Sequence, residues 1–178
     1  MPSLLQILFL SLIPFSFEQH NGSLIPWSAE KKLSWEDFRA RPDRDSQNAA
    51  MTGTNIKFDF IYNSKDGFHF HIQCFFDKNS SWGRIKNDYI LSHEQGHFDI
   101  AEIHARKLYK ALKEYQPDIA KANEQLNRIY NKVMQELNAT QSKYDEETNF
   151  SLNKEEQKRW LSKIEEELNS LQSYAGYH

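Results

Sequence analysis

Two histidines one helical turn apart, with a glutamate beside the first, are the residues here whose spacing specifies a chemistry. The string is His93-Glu94-Gln95-Gly96-His97, an H-E-x-x-H pattern. On a helix, side chains at i and i+4 leave the same face, so both imidazoles can reach one metal ion. Neutral imidazole suits Zn2+, and a water on a three-ligand zinc ionises near neutral pH. Glu94 is then placed to take that proton, direct the oxygen at a carbonyl and return the proton to the leaving amine. The expected chemistry is hydrolysis of a peptide or protein substrate, with His93 and His97 as zinc ligands and Glu94 as general base.

A catalytic zinc needs a third protein ligand. His104 shares the face, but seven residues past His97 is about 10 Å along the axis, so one ion cannot bind all three on an unbroken helix. Glu102 points away and is expected to pair with Arg106 four residues on. Ile100 and Ile103 stand where a longer metzincin pattern needs Gly and His. The ligand is therefore expected from the later polar segment Tyr144-Asp145-Glu146-Glu147-Thr148, with Asp145 the first choice and Glu147 the second. Tyr144 is either a donor to the developing oxyanion or a packed aromatic. His69 and His71, at i and i+2, either face solvent or line the cleft. Asp99 either bonds a ligand imidazole or is an exposed helix acid.

These residues must be positioned by elements that the hydrophobic period predicts. Asn55 to Tyr62 alternates Ile56, Phe58, Phe60 and Tyr62 with Lys57 and Asp59. After the turn residues 63–67, Phe68, Phe70, Ile72, Cys74 and Phe76 share one face of a second strand. A short strand is expected within 49–54. The period becomes helical from Lys86, with one long helix over Asp88–Glu114 ended by Pro117. On it Ile90, His93, Glu94, His97, Ala101, His104, Leu108 and Leu112 share the inward arc, and Ser92, Gln95, Asp99, Arg106 and Lys110 lie opposite. Gly96 inside a helix costs about 1 kcal/mol relative to Ala, which points to close approach of another backbone, here the sheet. Asp118 to Asn138 reads as a second helix, Gln141 to Asn149 as a polar connection, and Asn153 to Leu171 as a third helix. Ser34 with Asp37 three later reads as a helix start, and residues 18–32 as a linker or the start of the mature chain. The fold class is α+β: a small antiparallel sheet packed on the H-E-x-x-H helix, followed by two further helices.

The 178 residues suffice for one such domain, and a net charge of −3 argues against nucleic acid as a partner. Cys74 is the only cysteine, which excludes an intrachain disulfide and a cysteine-based zinc site. Leu4 to Phe17 is apolar, too short to span a bilayer, and followed by a polar stretch, as in a signal-peptide core. Residues 1–20 are expected to be a signal peptide and 21–178 one zincin-like metallopeptidase domain with C-terminal helices. That chain would be exported, with no transmembrane anchor after cleavage.

Together, Leu33-Ser34-Trp35-Glu36-Asp37-Phe38, Ser81-Trp82, the string from Ile90 to Glu102 with Ala105-Arg106, the Tyr144 to Thr148 segment and Gln157-Lys158-Arg159-Trp160 resemble a bacterial family of predicted secreted zinc-dependent proteases. It is catalogued as domain of unknown function 922. The resemblance covers about residues 33–171. It implies a zinc-peptidase-like fold, a cell-envelope or secreted location, ligand roles for His93 and His97, and the base role for Glu94. The chain departs from the family at Phe150, where a His commonly follows the Tyr-Asp-x-x-Thr segment by two residues. The alternative reading is thus a non-catalytic exported metal-site or binding protein that has lost its third ligand.

Overall fold

The computed structural model describes residues 22–177. The apolar run Leu4–Phe17 and the signal-peptide expectation for 1–20 lie outside them. The alternating segment forms a long hairpin of Thr54–Asn63 (β3) and Gly67–Asp77 (β4), in register from Thr54↔Phe76 to Asn63↔Gly67. A strand the sequence reading took for linker, Leu24–Pro26 (β1), joins the other edge of β4 antiparallel. The short strand expected in 49–54 is Ala50–Met51 (β2), paired antiparallel with Trp82–Gly83 (β5) in a second, two-stranded sheet. The Ser34 helix start is present but yields one 3-10 turn, Trp35–Asp37, closed by a capping box. The turn goes no further because Arg39 and Ala40 donate their backbone N–H groups to Lys78 and Ser81.

The long helix is Asp88–Glu114 (α1), opened by the Asn87 side chain, which accepts from the Ile90 N–H. The second helix, Ala122–Thr148 (α2), runs some ten residues past its expected end, and the third is Lys154–Ser170 (α3). The polar connection expected over Gln141 to Asn149 is therefore helix almost throughout. Ile56, Ile72, Cys74 and Phe76 of the hairpin pack with Ile100, Ile103, Leu108 and Leu112 of α1 and with Leu126, Val133 and Leu137 of α2. Each fully buried Leu, Ile or Phe of this kind contributes about 1.5–3 kcal/mol, enough to hold α1 rigidly between sheet and helices.

The arc of α1 expected to be polar and exposed is mostly covered. Trp27, in the strap after β1, donates its indole N–H to Asp99 at 2.7 Å, and the Leu33 N–H bonds Gln95 Oε1 at 2.9 Å. Asp99 thus anchors the strap and makes no bond to a candidate ligand. The C-terminal tail closes the rest, with Tyr177 buried against Glu102. Glu102 pairs with Arg106 at 2.8 Å, as its spacing predicts, in the interior rather than at the surface. Among the described residues no helix is long and apolar enough to cross a membrane.

Candidate metal centre

Helix α1 presents His93 and His97, and α2 presents Asp145 against them. Asp145 Oδ1 lies 3.1 Å from His93 Nε2 and 3.0 Å from His97 Nε2, and the two Nε2 atoms are 3.2 Å apart. The three residues form a possible metal-binding cluster. Donor atoms around a tetrahedral zinc with bonds of about 2.0–2.1 Å stand about 3.3 Å from one another, so this triangle is close to the size required. Two imidazoles and one carboxylate, with a fourth position left open, is a donor set suited to a catalytic zinc.

The hydrogen bonds around His97 fix which of its nitrogens faces the cluster. Gln141 Nε2 donates to the His97 carbonyl at 2.9 Å, which orients its amide. Gln141 Oε1 must then accept from His97 Nδ1, at 2.6 Å. A neutral His97 with its proton on Nδ1 turns a bare Nε2 lone pair toward the carboxylate oxygen and toward His93. His93, whose Nδ1 has no partner among the described residues, can carry its proton on Nε2 toward Asp145, while the His97 Nε2 contact with the carboxylate needs a further proton or a metal ion. Without a metal, protonation fills the gap. Burial disfavours charge on His97, but the Asp145 hydrogen bond and carboxylate outweigh it and raise its pKa. Burial alone would raise Asp145; the hydrogen bonds and charge of both imidazoles hold it well below the carboxylate range. His93 Nδ1, by contrast, is buried without a partner among the described residues, so His97 is the better-oriented ring.

Glu94 is buried between α1 and the segment linking β2 to β3. Thr52 donates its hydroxyl to Glu94 Oε2 at 2.7 Å, leaving Oε1 for the cleft. Burial raises the Glu94 pKa, against the partial opposition of His97 and the Thr52 bond. A cleft of about 330 Å³ opens over these groups. Its floor is His93, Glu94 and His97; one wall is the segment 48–54, and the other is Gln141 and Asp145 with Phe150 and Ser151.

Tyr144 does not face this cleft. It is fully buried, its ring stacked on His93 at 4.5 Å and edge-on to His97 at 4.9 Å, and its hydroxyl donates to the His93 carbonyl at 3.3 Å. Of its two readings Tyr144 is the packed aromatic, a post that orients both imidazoles. It also explains Gly96, where a Cβ would lie 2.5 Å from the Tyr144 hydroxyl oxygen. The close approach comes from α2, not from the sheet. Glu147, the second choice for a ligand, turns to α3 and accepts from the Trp160 indole at 2.8 Å. His104 is buried two turns on, bonded through Nδ1 to the Ile100 carbonyl at 2.9 Å, and burial lowers its pKa. His69 and His71 are exposed on the outer hairpin face and do not line the cleft.

Thr52 and Gln141 are the site residues that the sequence reading missed. Gln141 had a signal: Gln141, Tyr144, Asp145 and Thr148 continue at i, i+3, i+4 and i+7 the spacing of the apolar face of α2. Thr52 had none, because its partner lies 42 residues away.

The family model described as "Bacterial protein of unknown function (DUF922)" matches residues 28–151. No curated protein and no solved structure matches the chain.

Proposed function

Since the chain belongs to the DUF922 family of bacterial proteins, whose function is unknown, its activity must be argued from the site, and we propose that it is a zinc-dependent peptidase working outside the cytoplasm. One observation carries this reading: His93 Nε2, His97 Nε2 and Asp145 Oδ1 converge within 3.2 Å of one another, on the floor of the open cleft that also holds the buried Glu94. Zinc, when bound there, would supply Lewis-acid polarisation of a carbonyl and acidify a water. The protein's own groups supply the rest. Thr52 fixes the Glu94 carboxylate, whose Oε1 takes a proton from the attacking water and hands it to the leaving nitrogen. Burial of Glu94 raises its basicity toward the working pH. Gln141 and Tyr144 hold the imidazoles so that little reorganisation accompanies the reaction. A peptide can lie along the 48–54 wall, where β2 is paired on one edge only among the described residues. Export is supported by the apolar run Leu4–Phe17 ahead of a polar stretch.

The test is metal content and peptide-library hydrolysis for the wild type and Glu94→Gln. Stoichiometric zinc in both proteins is expected, with turnover lowered by about 10²–10⁴-fold in the variant. Zinc bound by both with equal, negligible cleavage would favour a non-catalytic metal-binding protein. Purified wild type that takes up no zinc would remove the basis of the reading.

A further inference from the structure

Eight large hydrophobic side chains stand exposed among the described residues, and half of them adjoin the metal cleft: Met51, Ile85, Phe150 and Leu152. Met51 and Phe150 line the cleft itself. Ile85, Phe150 and Leu152 line a second groove of about 400 Å³, which shares Asn48, Ala49 and Phe150 with the cleft. The groove is therefore a side pocket opening from the peptide-binding space, with Phe150 at the junction.

Phe150 is held there by an unusual backbone. Asn149, Phe150 and Ser151 take φ of 49°, 51° and 69°, three successive left-handed residues, none of them glycine. The turn is tied to the end of α2 by the Phe150 N–H on the Asp145 carbonyl and the Asn153 N–H on the Thr148 carbonyl, both at 2.8 Å. The residue carrying the candidate ligand oxygen thus also fixes the junction of the groove. A smaller or polar side chain at 150 would remove the apolar surface at that junction.

Among the described residues Arg84 is the one ionisable residue lining the groove. Its guanidinium bonds the Ser46 carbonyl at 2.7 Å and the Asp43 carbonyl, and lies over the Trp82 ring at 5.5 Å. An ammonium entering the groove would meet the like charge of Arg84 and shed water against Ile85, Phe150 and Leu152, whereas an apolar side chain would gain by the same burial.

We propose that this groove is the specificity pocket for a bulky apolar side chain of the peptide substrate, and that Phe150 is its selecting residue. The inference rests on the peptidase reading for the identity of its guest, a peptide. It is tested by affinity rather than turnover. Fluorescein-labelled hexapeptides of one sequence, varied at each position in turn between Asp, Ala, Leu and Phe, are titrated into the full-length Glu94→Gln protein with and without Zn2+. At one position Leu or Phe should bind about tenfold or more tighter than Ala. Phe150→Ser should lower that preference by about tenfold and Phe150→Leu should keep it, with thermal unfolding unchanged in both. Ile85→Ser, on the far wall, should weaken the preference independently. Absence of any preferring position overturns the inference, as does a preference that survives both serine variants. Hydrolysis by protein with Glu94 intact is scored separately. Cleavage without a Phe150-dependent preference sinks the pocket and leaves the peptidase standing; the preference without cleavage does the reverse.

Discussion

Helix α1 carries two polar clusters, and their difference separates structure from chemistry. Towards the C-terminal half of the helix, Glu102 accepts from Arg106 Nε at 2.8 Å and from the Tyr177 hydroxyl, while Arg106 Nη1 reaches the Leu168 carbonyl at 2.8 Å and the guanidinium covers Trp27 at 5.0 Å. Donors face acceptors and the charges cancel. About two turns earlier, His93, His97 and Asp145 bring two ring nitrogens and a carboxylate oxygen together with no donor assigned among them. The first cluster is closed in the interior; the second is half-buried at the cleft. What marks the second is a set of lone pairs that a proton or a metal ion must join.

The comparison breaks most decisively at Arg106. Arg106→Ala strands the Glu102 carboxylate in the interior and should cost about 3–5 kcal/mol in urea unfolding, with no change in zinc bound per folded molecule. A loss under about 1 kcal/mol would mean that the C-terminal cluster is not the closed unit described here.

A smaller effect is expected where the metal cluster leans on its packing. Gly96→Ala places a methyl 2.5 Å from the Tyr144 hydroxyl oxygen and 2.9 Å from Cζ. Overpacking of about 1–3 kcal/mol outweighs the helix-propensity gain of about 1 kcal/mol. The displaced ring should also weaken zinc binding, measurable by competition with a chelating dye. A variant more stable than wild type would show that Tyr144 moves aside freely and supports nothing.

The subtlest distinction is in pH. In metal-free protein the His97 interaction with Asp145 contributes fully below the ordinary His pKa of about 6.5 and is lost as pH rises through the raised folded value. Asp145, held low, contributes above about pH 3.9 and is lost as pH falls through its depressed folded value. The stability gap between wild type and Asp145→Asn in EDTA should therefore be widest between about pH 4 and 6.5 and narrow as pH rises through the raised His97 value. With saturating zinc it should grow with pH instead, because metal binding releases protons. Urea midpoints across that range decide the matter, and a gap independent of pH in EDTA would remove the account in which a proton joins His97 and Asp145.

Much of this architecture was legible in the order of residues, because local periodicity encodes it. The alternation from Ile56 to Phe76 specified a hairpin, and the spacing of Ile90, His93, His97 and Leu108 specified one long helix with both imidazoles turned inward. The end of α2 was misread because Gln141, Tyr144 and Thr148 continue its buried face with polar atoms, which a reading by hydrophobicity counts as loop. Strand β1 was missed because three residues hold too little pattern to register without β4 beside them.

What the sequence determined alone was the pair of imidazoles and the carboxylate next to them, since four residues of helix put them on one face whatever surrounds them. Only the tertiary structure decided the rest. Asp145 meets the two rings because α2 packs across α1 with Tyr144 filling the space above Gly96. Thr52 reaches Glu94 because the segment after β2 is drawn over the helix. Contacts between residues more than 40 apart depend on how whole elements pack, and no spacing along the chain encodes that distance.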